Sequence, residues 1–127
     1  MKSYTNFNQS KKLAEILPLE SADMHYATWT ILDGEFIVSP NQGSTIKNLQ
    51  EDYGNQIIPC WSIAALLDYI KDKCGYFELV YLKSTIDGRE NILKNVYRLS
   101  TDIYDVYEKE VIDACYEIIL RLNELNE

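Results

Sequence analysis

The segment Met24-His25-Tyr26-Ala27-Thr28-Trp29-Thr30-Ile31-Leu32-Asp33-Gly34-Glu35-Phe36-Ile37-Val38 decides the fold. A run rich in β-branched and aromatic residues meets Asp33-Gly34, a pair that readily adopts the positive φ angles of a two-residue hairpin turn. A second apolar run follows. The pattern predicts a strand from Met24 to Leu32, a tight turn, and a return strand from Glu35 to Val38. Strict alternation puts His25, Ala27, Trp29 and Ile31 on one face, with Tyr26, Thr28 and Thr30 on the other. The first set is expected to face the core.

On the N-terminal side a helix is expected from about Asn6 to Leu17, capped by Thr5 or Asn6 and stopped by Pro18. On the C-terminal side residues 39–56 form a long polar connection, functional or hiding a short helix near Ile46 to Leu49. Pro59 is expected to open a second helix, because proline loses nothing in a first helical turn. Its apolar stripe would be Cys60, Ile63, Leu67, Ile70 and Cys74, ended by Gly75. Strands are expected from Tyr76 to Lys83 and from Ile92 to Leu99, joined through Asp87-Gly88-Arg89-Glu90. A last helix would start near Asp102 to Asp105, where Asp105 and Glu108 have capping-box spacing, and run to Leu125. The order is α-ββ-α-ββ-α, which predicts one α+β domain over residues 1–127 with a mainly antiparallel four-stranded sheet packed by helices. A shift of 54 residues lays Asp33-Gly34 on Asp87-Gly88 but Trp29 on Lys83, so the arrangement repeats and the residues do not.

Composition supports a packed domain. With 127 residues, 46% hydrophobic and 25% charged, the chain can build a core without metal or disulfide. Cys60, Cys74 and Cys115 make an odd count without C-x-x-C spacing, and His25 is the one histidine, so no zinc signature is present. Reduced thiols fit a cytoplasmic location. Residues 2–12 hold no apolar signal core, and the mostly apolar stretch from Ile57 to Leu67 is too short to span a bilayer, so no membrane association is expected. A net charge of −8 argues against a phosphate-binding surface. The ten bases of residues 1–100 are scattered and nearly matched by twelve acids, so ten tyrosines and two tryptophans read as core and interface aromatics, not as a nucleic-acid platform.

Few residues suggest chemistry. Gln56-Ile57-Ile58-Pro59-Cys60-Trp61-Ser62 would place Cys60 at a helix N-terminus, where free N–H groups stabilise a thiolate. The Cys-Trp pair resembles the nucleophile segment of papain-like peptidases. The glutamine stands four residues upstream instead of six, the usual glycines are missing, and no histidine follows Cys60. His25 would have to act as base in a permuted order, giving a cysteine-dependent hydrolase as the alternative reading. The simpler reading makes Cys60 a small core residue and His25 a strand histidine bonded to its surroundings. Glu51-Asp52 and the i, i+4 pair Asp68/Asp72 read as solvated charges. No phosphate loop, dinucleotide fingerprint or H-E-x-x-H occurs, and neither a metal nor a cofactor is expected.

The last helix says more. Residues 101–127 carry eight acids against two bases, so most of the net charge sits in this fifth of the chain. Val111, Cys115, Ile118, Leu122 and Leu125 form an apolar arc, and Glu110, Asp113, Glu117 and Glu124 a stripe roughly opposite. The stripe is either a solvated face or an acidic docking face for a basic partner. Tyr116 and Leu120 lie off the main arc; exposed, they would favour self-association, and covered, they would mean a helix buried on two sides.

Gln9 to Met24 and the string Ile58-Pro59-Cys60-Trp61-Ser62-Ile63-Ala64-Ala65-Leu66-Leu67, together with the amphipathic last helix, resemble a group of small bacterial proteins from gut anaerobes and their phages or mobile elements. That group has no assigned activity, so the resemblance implies a cytoplasmic accessory protein and no residue roles. The expectation is a non-enzymatic interaction protein, open to homodimer formation, acting through the last helix or a sheet face.

Overall fold

The computed structural model describes residues 1–41 and 45–125. Residues 42–44 of the expected polar connection and Glu127 of the acidic tail lie outside the described residues. The fold is α+β, with two separate three-stranded antiparallel sheets where one four-stranded sheet was expected. The chain divides into two compact units, Ser3–Ala65 and Leu66–Glu127 with Met1–Lys2.

The first unit holds α1 (Phe7–Ala14), β1 (Met24–Leu32), β2 (Glu35–Pro40), α2 (Ile46–Tyr53) and β3 (Ile57–Cys60), in sheet order β2-β1-β3. A capping box starts α1: the Asn6 side chain accepts from the Gln9 amide at 2.7 Å, and the Gln9 side chain accepts from the Asn6 amide at 3.0 Å. The hairpin between β1 and β2 forms as expected, with Asp33 at φ 53° and Gly34 at φ 81°. The expected core face of β1 forms only in part. Pairing shifts register between Tyr26 and Ile31, and the Thr30 hydroxyl turns back to the Ala27 carbonyl at 2.7 Å. Ala27 is buried as expected, but Trp29 within this shift and Ile31 at its end are exposed, while Tyr26, assigned to the outer face, is buried. Thr45 caps α2, which extends the expected short helix to Tyr53.

Pro59 lies in a strand and opens no helix. Its strand β3 is a sheet edge that pairs only with β1, where a missing N–H is tolerated. The helix begins four residues later, at Ile63, because Asp23 and Ser62 assemble a cap there. Asp23 Oδ1 accepts the Ser62 amide at 2.9 Å, Asp23 Oδ2 accepts the Ser62 hydroxyl, and Ser62 Oγ accepts the Ala65 amide at 3.2 Å.

α3 (Ile63–Cys74) runs from the first unit into the second, which adds β4 (Glu78–Ile86), β5 (Ile92–Ser100), β6 (Asp105–Glu108) and α4 (Val111–Leu125), in sheet order β4-β5-β6. The fully buried positions of α3 are Leu66 and Ile70, four residues apart on one helical face. The last helix starts six residues later than expected. Asp105 does not cap a helix, because Arg98 holds it by two bonds of 2.7 and 3.2 Å and Ser100 adds a third at 2.8 Å. Residues 105–108 therefore pair with β5 as a third strand. α4 packs on β5 and β6 and buries Val111, Ile112, Ala114, Cys115, Ile118 and Ile119.

The core of the first unit contains a polar centre at Thr5, which has no solvent exposure. Its amide donates to the Trp61 carbonyl at 2.9 Å, and its carbonyl accepts the Tyr26 hydroxyl at 2.8 Å. Its hydroxyl lies 2.7 Å from Ser10 Oγ and accepts the Trp61 amide at 3.2 Å. Thr5→Val keeps the shape but leaves the Trp61 amide and Ser10 short of a partner. The expected loss is about 1–3 kcal/mol, with Thr5→Ser much milder. Urea unfolding of the two variants against the parent checks this.

Candidate functional site

Cys60 and His25 are not brought together. Cross-strand partners share a sheet face, and Cys60 pairs with Met24 while His25 pairs with Pro59. Neighbouring residues of β1 point to opposite faces, so the thiol and the imidazole project from opposite sides of the sheet. Cys60 is fully buried, with Sγ 3.4 Å from both the Thr5 hydroxyl and the Thr5 carbonyl. Burial pushes its thiol above the ordinary range, against the opposing hydrogen bonds from Thr5 and Ser10. His25 Nδ1 lies 2.9 Å from Asn41 Oδ1, and the Asn41 amide group donates to the Ala22 carbonyl at 2.9 Å, so the imidazole is tied into a loop contact. Trp61, the residue beside the thiol, is buried with its indole N–H donating to Ser21 Oγ at 2.9 Å.

The acidic stripe of α4 is largely engaged within the chain. Glu110 accepts the Lys2 amide at 3.0 Å, and Asp113 pairs with the Lys2 ammonium at 3.3 Å. Glu117 pairs with Arg121 at 3.0 Å, and Glu124 is exposed. Such surface pairs contribute at most about 1 kcal/mol each and exchange readily. Tyr116 and Leu120 are half-buried, between the two alternatives read from the sequence. A further acid, Glu108 on β6, sits close to this stripe. Burial and then the charges of Asp113 and Glu117 raise its pKa above the usual carboxylate range, with Arg121 opposing. Its capping-box spacing with Asp105 predicts a place in a helix cap, whereas it lies in a strand.

One apolar surface missed by sequence reading is the open half of the β1–β2 hairpin; Ile86 and Ile92, paired at the end of the β4–β5 hairpin, are exposed as well. Trp29, Ile31, Leu32 and Ile37 are 49, 60, 65 and 41% exposed. The Trp29 ring lies 4.9 Å from that of Tyr53 at the end of α2, itself half exposed. The register pairs Ile31 with Phe36 and Leu32 with Glu35, so exposed apolar side chains stand on both faces of the ribbon. Alternation alone hid this, because it assumes a strand without a bulge. The long apolar side chains beside a two-residue turn were the available signal.

Among the described residues no three of His, Cys, Asp and Glu are grouped as a metal site requires, and no helix is long and apolar enough to cross a membrane. The chain matches no family model, no curated protein and no solved structure. Residue roles therefore rest on the geometry.

Two measurements test this geometry. Under native conditions a thiol reagent should label Cys74, which is partly exposed, well before Cys60 or Cys115, whose thiol burial pushes up to about 12. Mass spectrometry of the labelled peptides reads the order. Glu108→Gln should raise the melting temperature at pH 7, because the folded state disfavours the Glu108 charge. The gain should fade as pH falls through the raised folded pKa to below about 4.3, the ordinary glutamate value, where the parent carboxyl is neutral in both states.

Proposed function

We propose that this chain is a non-catalytic binding protein that docks a protein partner through the open half of the β1–β2 hairpin. The exposure of Trp29, Ile31, Leu32 and Ile37 on one short ribbon carries the reading. Tryptophan and tyrosine are the residues most often found at the energetic centre of protein interfaces, and Trp29 with Tyr53 supplies both. The reading also favours a binding role because Cys60, the strongest nucleophile candidate, is sealed in the core.

Charge specifies the partner's chemistry. Asp33 lies in the hairpin turn, and Glu51 and Asp52 precede Tyr53 on α2, with Lys47 the one base on that helix. A partner with apolar anchors flanked by lysine or arginine fits this rim. The stripe Glu110, Asp113, Glu117 and Glu124 belongs to the other compact unit and is partly neutralised by Lys2 and Arg121, so the docking is not assigned to it. Accessory activity in a cytoplasm, as the sequence resemblance implies, is compatible with such a module.

The test compares captures from the source cells by the parent, by a Trp29→Ala/Leu32→Ser variant, and by a variant with the four α4 acids neutralised. The partner should be held by the parent and by the α4 variant at low salt, and lost with the hairpin variant while its fold persists by circular dichroism. Titration of the purified partner should then shift Trp29 emission to the blue, since Trp61 is already buried. Identical captures by the parent and hairpin variants would overturn the reading. So would a concentration-dependent dimer that the hairpin substitutions abolish, which would make a second copy the occupant.

A further inference from the structure

A cleft of about 330 Å³ lies between the start of α1 and the β1–β2 hairpin, lined by Asn6, Phe7, Tyr26, Gly34, Glu35 and Phe36. This is the lower end of the range of small-ligand pockets, roughly 300–1,000 Å³. Three of its six residues are aromatic. Phe7 and Tyr26 stand edge to face, with centroids 5.7 Å apart and planes at 83°, and Phe36 tilts by 38° against Phe7 at 4.7 Å. Register explains the convergence. Tyr26 pairs with Val38, and Phe36 lies two residues from Val38, so both rings project from the sheet face on which Phe7 sits. Tyr26 is locked by its hydroxyl bond to the Thr5 carbonyl.

Glu35 is the charged residue of this lining; burial, then Cys60 and Tyr4, keep the Tyr26 hydroxyl protonated, with Glu35 the smallest contributor. The Phe7 ring already draws a cation, since the Lys11 ammonium lies 5.6 Å from its centroid. Aromatic faces and a carboxylate repel anions and attract cations. A primary ammonium needs acceptors to replace its water shell, and the cleft supplies few. The Asn6 side-chain carbonyl already accepts the Gln9 amide and the buried Tyr26 hydroxyl is turned onto the Thr5 carbonyl, which leaves the Glu35 carboxylate as the main acceptor, too few to replace a full water shell. A methylated ammonium needs no such acceptors, because its charge is spread over apolar methyl groups.

We propose that this cleft binds a trimethylammonium group, with Phe7, Tyr26 and Phe36 as its aromatic walls and Glu35 as its counter-charge. The group could be carried by a free small molecule or by a trimethylated lysine of a peptide. The cleft uses none of the residues assigned to the docking ribbon, so the two readings fail separately.

The test is a titration of the full chain with choline, followed by the N-methyl proton resonance, beside its neutral isostere 3,3-dimethylbutanol. Choline should bind saturably with an upfield ring-current shift, and the isostere at least about tenfold more weakly. Glu35→Gln, on an exposed residue, should weaken choline about five- to tenfold and leave the isostere unchanged. Phe36→Leu should weaken choline with the fold intact by circular dichroism. A trimethyllysine peptide binding more tightly than choline would place the group on a protein, and choline binding as tightly would make it a small molecule; either result supports the site. Equal affinity for choline and isostere would overturn the proposal, as would no saturable binding, or a choline affinity indifferent to Glu35→Gln.

Discussion

Thr5 has no access to solvent, yet its amide, hydroxyl and carbonyl all carry hydrogen bonds, so packing of residues 3–65 requires those bonds to form together. A buried hydroxyl left unpaired would cost more than a surface contact returns. The bonds hold the N-terminal segment against Trp61, set the Tyr26 ring, and fill the space around the Cys60 sulfur. No buried side-chain nitrogen or oxygen among the described residues lacks a partner, so this polar centre is satisfied. The same bonds that make Cys60 a structural thiol make Tyr26 a fixed wall of the neighbouring cleft.

Charge is organised differently in the second unit. Asp105 is spent on joining β6 to β5 through Arg98 and Ser100, and the arginine holds its carboxyl below the usual range. Its contribution to stability is therefore present at neutral pH and lost as acid protonates the carboxylate. Glu110, Asp113 and Glu117 meet Lys2 and Arg121, which turns a stripe that looked like a free surface into a partly neutralised one. Glu108 is the exception, a carboxylate held where its charge is unwelcome.

The exposed apolar ribbon follows from the register shift between Tyr26 and Ile31. Before it, β1 is a central strand buried between β2 and β3; after it, the hairpin continues without a third strand and exposes both faces. Trp29 and Ile31 lie past Ala27, the last residue of β1 that pairs with β3, and stand exposed there.

Much of the fold was legible. Period-2 and period-3.6 patterns located α1, β1, β2, β4, β5 and most of α3 and α4, and Asp33-Gly34 located the first hairpin, because these signals depend on neighbours along the chain. The split into two sheets was not legible. It turns on β3 and β6, four-residue strands with Pro59 in one and capping-box spacing in the other, whose strand character comes from partners distant in sequence. The candidate site was less legible still: His25 and Cys60 were visible as residue types, but the sheet face that separates them follows from register. The sequence by itself determined the α+β class, the tight turn of the first hairpin and the amphipathic last helix, all consequences of local periodicity. Only the tertiary structure decided which apolar residues face solvent, which acids find a cation and which thiol is sealed, because those outcomes depend on long-range pairing that periodicity does not encode.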